Sequence, residues 1–261
     1  MLIDRKYGFI KDNIQIDREH GFIKKYILPQ TIEEEFLASK AGQAIGETSG
    51  FFYSPKVLEY NRDQSWIKFE YIPDLTPLRS FLPSQDPQLF ELLKKVGVIL
   101  DYIHDNLHLE KINPIPERFD CEGRHVFLHG DFNLTNILHD SQNNRIVIID
   151  WSLTHYIRGT GNWGIDYFDI AWMINAIFAS APYMEFDYHY RKNLADVFLK
   201  SYFLSSDEKC DIHKLNRLGK KLYFYLLQSA FNTYGLKFVK QILNRSYFPY
   251  YLDHLKADIE K

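Results

Sequence analysis

The stretch FLHGDFNLTNILHD, residues 127–140, sets His129, Asp131, Asn133 and Asn136 between two apolar runs. Small polar residues spaced so closely predict a loop, and the flanking HVFL and NIL predict strand-like segments that hold it. One hairpin later, with SQNN as its turn, the apolar run RIVIID ends on Asp150. A carboxylate can take up a proton, and carboxylate and amide oxygens can both bind a hard divalent cation. Asp and Asn also satisfy turn backbone, which is the competing explanation for any one of them alone. The pattern His-x-Asp-x-x-x-x-Asn followed by Asp150 exceeds what a turn requires.

These groups need a scaffold. The chain has 261 residues, 46% of them hydrophobic, enough for one large domain or two lobes around a substantial core. Up to residue 27, GFI, IQID and GFIKKYIL are β-prone, with KDN and EHG as turns. TIEEEFLASKAGQAIG then predicts a helix, with Thr31 as N-cap, acidic residues in its first turn, and Gly46 or Gly50 as its end. SPKVLEYN and SWIKFEYIP predict two more strands joined by NRDQ. After Pro73 the pattern changes. Leu89, Leu92, Leu93, Val96, Ile99, Leu100 and Ile103 recur at helical spacing, and beyond Asp169 the chain reads as mostly helical. The expected class is α+β: a small β-sheet lobe with one helix over residues 1–73, and a larger, mostly helical lobe over 74–261.

HGDFNLTN (129–136) and IIDW (148–151) together resemble the catalytic loop and metal-binding aspartate of protein-kinase-like phosphotransferases. Gly130, Trp151 and the later YFDIAWM are more similar to the aminoglycoside phosphotransferase and choline kinase branch. The resemblance implies a two-lobed kinase-like fold that transfers the γ-phosphate of ATP or GTP to a hydroxyl of a sugar-like, aminoglycoside-like or choline-like acceptor. In it, Asp131 is the catalytic base, Asn136 and Asp150 bind Mg²⁺, His129 buttresses the loop, and Asp169 braces the loop from below. Asp169 precedes an apolar run and also suits a helix N-cap.

The resemblance further requires a lysine on the nucleotide phosphates, oriented by a helix glutamate. Strand alternation sends Lys24 and Lys25 to opposite faces. The apolar-apolar-Lys pattern of FIK selects Lys24, with Lys25 as the alternative, and Glu35 is preferred to Glu33 and Glu34. Backbone at Glu70, Tyr71 and Ile72 is expected to meet the nucleobase, with Asp74 after it. No Gly-rich motif precedes Lys24, so a phosphate-covering turn falls at Lys11–Asn13. Gly164 matches the family's Gly-Asp-Pro-x-x-Asp spacing to Asp169, but Ile165 and Asp166 replace Asp-Pro, and the Gly-rich stretch reads as a turn.

From Ser180 to Lys261 there are 13 Lys and Arg against 9 Asp and Glu. A wall for a polycationic aminoglycoside should be acidic, so a neutral or anionic acceptor fits better. Tyr223, Tyr225, Tyr234, Tyr247, Phe248, Tyr250 and Tyr251 could stack on a sugar or simply pack. Net charge is −3, which offers nothing to nucleic acid. Two distant cysteines, Cys121 and Cys210, form no disulfide framework, and no segment reads as a signal peptide or membrane span. A cytoplasmic enzyme is the expectation. Rival readings are a binding module that keeps the fold without transfer, and nucleotidyl transfer on the same fold.

Overall fold

The computed structural model describes residues 13–153, 161–179, 187–205, 210–234 and 248–253. Strands β1 (Ile14–Asp17), β2 (Phe22–Tyr26), β4 (Val57–Asn61) and β5 (Trp66–Glu70) form an antiparallel sheet in the order β1-β2-β5-β4. Helix α1 (Ile32–Ser49) follows β2. It ends at Gly50, whose φ of 67° and N–H bond to Gly46 O close the last turn. Thr31 does not cap it: the hydroxyl donates to Leu28 O at 3.2 Å, because the chain arrives in a tight turn over residues 28–31. The lysine-to-glutamate order strand–helix and the two strands after it match the expected small lobe.

The second lobe is built on α2 (Gln88–Asn106), whose predicted apolar positions are all buried. Helix α2 packs on α4 (Tyr188–Ser205) through Gly97, where a Cβ would come within 2.7 Å of Phe198 O. Helices α3 (Tyr167–Ala179), α5 (Ile212–Tyr234) and the short α6 (Phe248–Asp253) complete the helical part. Strands β7 (His125–Phe127), β8 (Ile137–Asp140) and β9 (Arg145–Ile148) bracket the polar loop and its hairpin. The Gly-rich stretch is not only a turn: β10 (Trp163–Ile165) pairs antiparallel with β7. Residues 154–160, including Arg158, lie outside the described segments, as do Lys11 and Asp12.

The two lobes share a sheet. Strand β3 (Phe52–Tyr53), which follows α1, pairs in parallel with β9, in the order β3-β9-β8-β6, where β6 is Leu75–Pro77. Trp151 seals this junction. It is buried, its Nε1–H donates to Ser54 Oγ at 3.0 Å, and a Cβ on Gly42 of α1 would fall 2.3 Å from its ring. Core residues run without interruption from Ala38 and Phe52 to Tyr251 and Leu252. Among the described residues no helix is long and apolar enough to cross a membrane.

Candidate active site

The polar loop lies between β7 and β8 and is held from beneath by Asp169. One carboxylate oxygen of Asp169 accepts the His129 N–H at 2.8 Å, and the other accepts the Gly130 N–H at 3.0 Å. His104 Nε2 approaches Asp169 at 3.3 Å, and His104 Nδ1 meets the Tyr202 hydroxyl at 2.8 Å. Asp169 therefore braces the loop and does not cap α3. It sits inside the first turn; Asp166, just before the helix, accepts the Tyr167 N–H at 2.8 Å. At Gly130 the backbone takes a φ of 86°, and a Cβ would meet Leu153 Cα at 2.8 Å, so only glycine fits.

His129 joins the loop to the end of β9. Its Nδ1 accepts the Asp131 N–H at 3.2 Å, and Nε2 lies 3.1 Å from Ile149 O. Burial pushes its imidazole below the ordinary histidine value, more than the nearby Asp169 and Asp150 raise it. A neutral ring protonated at Nε2 satisfies both bonds. Asn136 adds a second tie, its carbonyl accepting the Ile149 N–H at 3.0 Å.

Asp131 stands at the loop's centre. Its Oδ1 accepts the Trp172 indole N–H at 2.7 Å and the Asn133 amide at 3.0 Å, and Oδ2 accepts the Asn136 amide at 2.9 Å. Asn133 also folds the loop, its Oδ1 accepting the Thr135 N–H at 2.8 Å. With Asn136 Nδ2 committed to Asp131, the amide oxygen is directed away from it. Asp150 has a φ of 67°, a backbone state unusual for a residue with a side chain and common at functional turns.

Asp150 Oδ1 lies 2.5 Å from the ammonium of Lys25, and Glu35 Oε1 binds the same ammonium. Burial alone would push Lys25 down, but Asp150 and Glu35 together hold it above the ordinary lysine value. The lysine that meets the helix glutamate is thus Lys25, the alternative on sequence, and not Lys24. Lys24 lies on the opposite face of β2, its Nζ 4.0 Å from the Trp66 ring. The FIK pattern does not reveal which face looks into the cleft. The register does: Lys25 stands opposite the fully buried Ile67, and Lys24 opposite Lys68. The expected Glu35 is the carboxylate that reaches the lysine; Glu33 pairs at the surface with Arg62, 3.5 Å away.

Beside this cluster a cleft of about 400 Å³ opens between the lobes. Ile23, Leu75, Leu138 and Ile149 supply apolar walls, and Glu70, Tyr71 and Ile72 line its edge. Glu70 is fixed by its side chain, which accepts the Tyr53 hydroxyl at 2.5 Å and the Lys56 N–H at 3.2 Å. The Tyr71 N–H is taken by Gly21 O at 2.9 Å. Asp74 also lines the cleft, with a φ of 57° and an Oδ2 that accepts Gln142 Nε2 at 3.1 Å.

Of the suggested aromatic wall, Tyr223 and Tyr251 are buried in the core, Tyr225 packs on Phe119 and Arg118, and Tyr250 is exposed. Tyr247 and the side chains of Tyr234 and Phe248 lie outside what is described. The residues missed from sequence are Trp172, His104 and Tyr202. Trp172 carried a usable signal, since it lies one turn beyond Asp169 on the same helix face.

The sequence matches a phosphotransferase enzyme family over residues 61–200 of 261. No curated protein matches it. Among solved structures, a glucosamine kinase in complex with glucosamine, ADP and inorganic phosphate aligns with a TM-score of 0.61 at 12% identity, covering 91% of this chain and 77% of that one. An aminoglycoside phosphotransferase from Streptomyces rimosus in complex with ADP and streptomycin aligns with a TM-score of 0.53 at 12% identity, covering 85% and 92%. A choline/ethanolamine kinase family protein from Mesorhizobium loti gives 0.51 at 11%, covering 92% and 81%. At these identities the structural likeness is one of fold. The family match spans more than half of the sequence, and the chain therefore belongs to the phosphotransferase enzyme family.

Proposed function

We propose that this phosphotransferase moves the γ-phosphate of ATP or GTP to a hydroxyl of a small, sugar-like acceptor. The observation that carries the reading is the meeting of Lys25, Glu35 and Asp150 in one part-buried ion cluster, joined through Ile149, Asn136 and His129 to Asp131. The nucleobase enters the apolar cleft against backbone at Glu70, Tyr71 and Ile72. Lys25, aimed by Glu35, takes the α- and β-phosphates. Asp131 accepts the hydrogen bond of the incoming hydroxyl and receives its proton as the new O–P bond forms, with ADP or GDP as the leaving group. Trp172 and Asn133 hold its carboxylate in place for that contact.

The oxygen pair of Asn136 and Asp150 suits a hard cation, so these two residues would hold Mg²⁺. When bound, the ion supplies neutralisation of phosphate charge. Aminoglycoside-like and choline-like acceptors belong to the same chemistry. The basic balance of residues 180–261 favours a neutral or anionic one. We place the lobe boundary at residues 73 and 74. The free cysteines Cys121 and Cys210 suit a reducing cytoplasm, and no nucleic-acid or membrane partner is invoked.

The test is a screen of hydroxyl-bearing metabolites and aminoglycosides for stimulated ATP or GTP consumption. It is run with nucleotide labelled at the γ- or the α-phosphate. Label transferred from the γ position is expected. Transfer from the α position overturns the reading in favour of nucleotidyl transfer. Nucleotide binding without any turnover overturns it in favour of a binding module.

A further inference from the structure

Glu34 precedes the glutamate that meets the lysine, yet it points elsewhere. Neighbouring helix positions are turned by about 100° from one another, so adjacent side chains reach different targets. Glu34 Oε1 accepts a hydrogen bond from Asn113 Nδ2, in the segment between α2 and β7. That contact joins the helix of the first lobe to the second.

Asn113 is itself locked in place. Its N–H donates to Asn162 Oδ1 at 2.9 Å, and its carbonyl accepts the N–H groups of Asn162 at 2.7 Å and Trp163 at 3.0 Å. Asn162 Nδ2 donates to Lys111 O at 3.1 Å. The Asn162 carbonyl accepts the Leu128 N–H at 2.9 Å, and Leu128 directly precedes His129. Gly161 allows the close approach: a Cβ there would lie 2.9 Å from Ile115 Cα. A continuous run of hydrogen bonds thus leads from the first turn of α1, through Asn113 and Asn162, to the strand that delivers His129 and Asp131.

We propose that Glu34 is a positioning residue: by capturing Asn113 it sets α1 against the second lobe at the height where Glu35 meets Lys25. Nucleotide affinity then depends on a contact that touches no nucleotide. The proposal rests on the cleft being a nucleotide site. It requires an acceptor oxygen at position 34, not a charge. Partial burial already raises the Glu34 carboxyl above its ordinary value, against the pull of Lys111.

The experiment is calorimetric titration of the full chain with Mg·ADP and Mg·GDP, beside the melting temperature of the ligand-free protein. The variants are Glu34→Gln, Glu34→Ala, Asn113→Ala and the double alanine variant. Glu34→Ala and Asn113→Ala are expected to weaken nucleotide binding roughly fivefold each, with the double variant no weaker than either. Glu34→Gln is expected to bind as the wild type does. Lower melting temperatures with unchanged nucleotide affinity, additive losses in the double variant, or a Glu34→Gln as weak as the alanine each overturn the proposal. A wild-type chain that binds neither nucleotide overturns the cleft reading, and this proposal with it.

Discussion

Asp131 has both carboxylate oxygens engaged by donors: the indole of Trp172, and the amides of Asn133 and Asn136. That network fixes the rotamer, and an isosteric amide would turn its NH2 toward one of these donors, so the change removes the proton acceptor and costs some stability as well. Asp131→Asn is expected to lose phosphate transfer while keeping nucleotide affinity within about twofold, measured by turnover and calorimetry. The two lysines provide a sharper contrast. Lys25→Ala removes the ammonium shared by Glu35 and Asp150 and is expected to weaken nucleotide binding roughly tenfold or more. Lys24→Ala loses an outward contact with Trp66 and should bind nucleotide as the wild type does. His129 makes a prediction about pH. Its folded-state value lies below the ordinary 6.5, so just below that pH the unfolded chain binds a proton that the folded chain does not. Stability should fall on acidification from about pH 7 to about pH 5.5, and chemical denaturation should show a smaller fall for His129→Asn.

At the scale of elements, two glycines decide how helices meet. Gly97 lets α2 approach α4 until the missing Cβ would touch Phe198 O, Ser201 Cβ and Tyr202 N. Alanine gains about 1 kcal/mol of helix propensity at such a position. Two of the atoms it would strike are backbone, which cannot turn aside, and overpacking costs about 1–3 kcal/mol. Gly97→Ala is therefore expected to be destabilising on balance, as the denaturation midpoint will show. The same reasoning explains why α1 carries Gly42 beneath Trp151. The helix that presents Glu35 sits as close to the second lobe as an indole ring allows.

The molecule as a whole has two lobes but not two separable folds. Strand β3 belongs to the sheet of the second lobe, and Phe52 and Trp151 are buried at the junction. Residues 1–73 expressed alone lose the partners of β3 and are expected to lack a cooperative melting transition by circular dichroism. In the intact chain, Mg·ADP at about 100 times its dissociation constant should stabilise by about 2.7 kcal/mol, seen as a raised melting temperature. Chelation of magnesium should remove most of that gain.

The polar loop was legible because its information is local. His129, Asp131, Asn136 and Asp150 are spaced by one loop and one hairpin, and a short chain segment brings them together whatever surrounds it. The apolar period of α2 was legible for the same reason. The cleft-facing lysine was not. Alternation along β2 offers two faces, and which one looks inward depends on β5 and α1 packing against the strand. Asp169 suited a helix cap on sequence, and only the helix start, which puts it inside the first turn beneath His129, assigns it to bracing the loop. The tie from Glu34 to Asn113 joins residues far apart in the chain. Such pairings cost chain entropy that only the finished core repays, so no local pattern announces them.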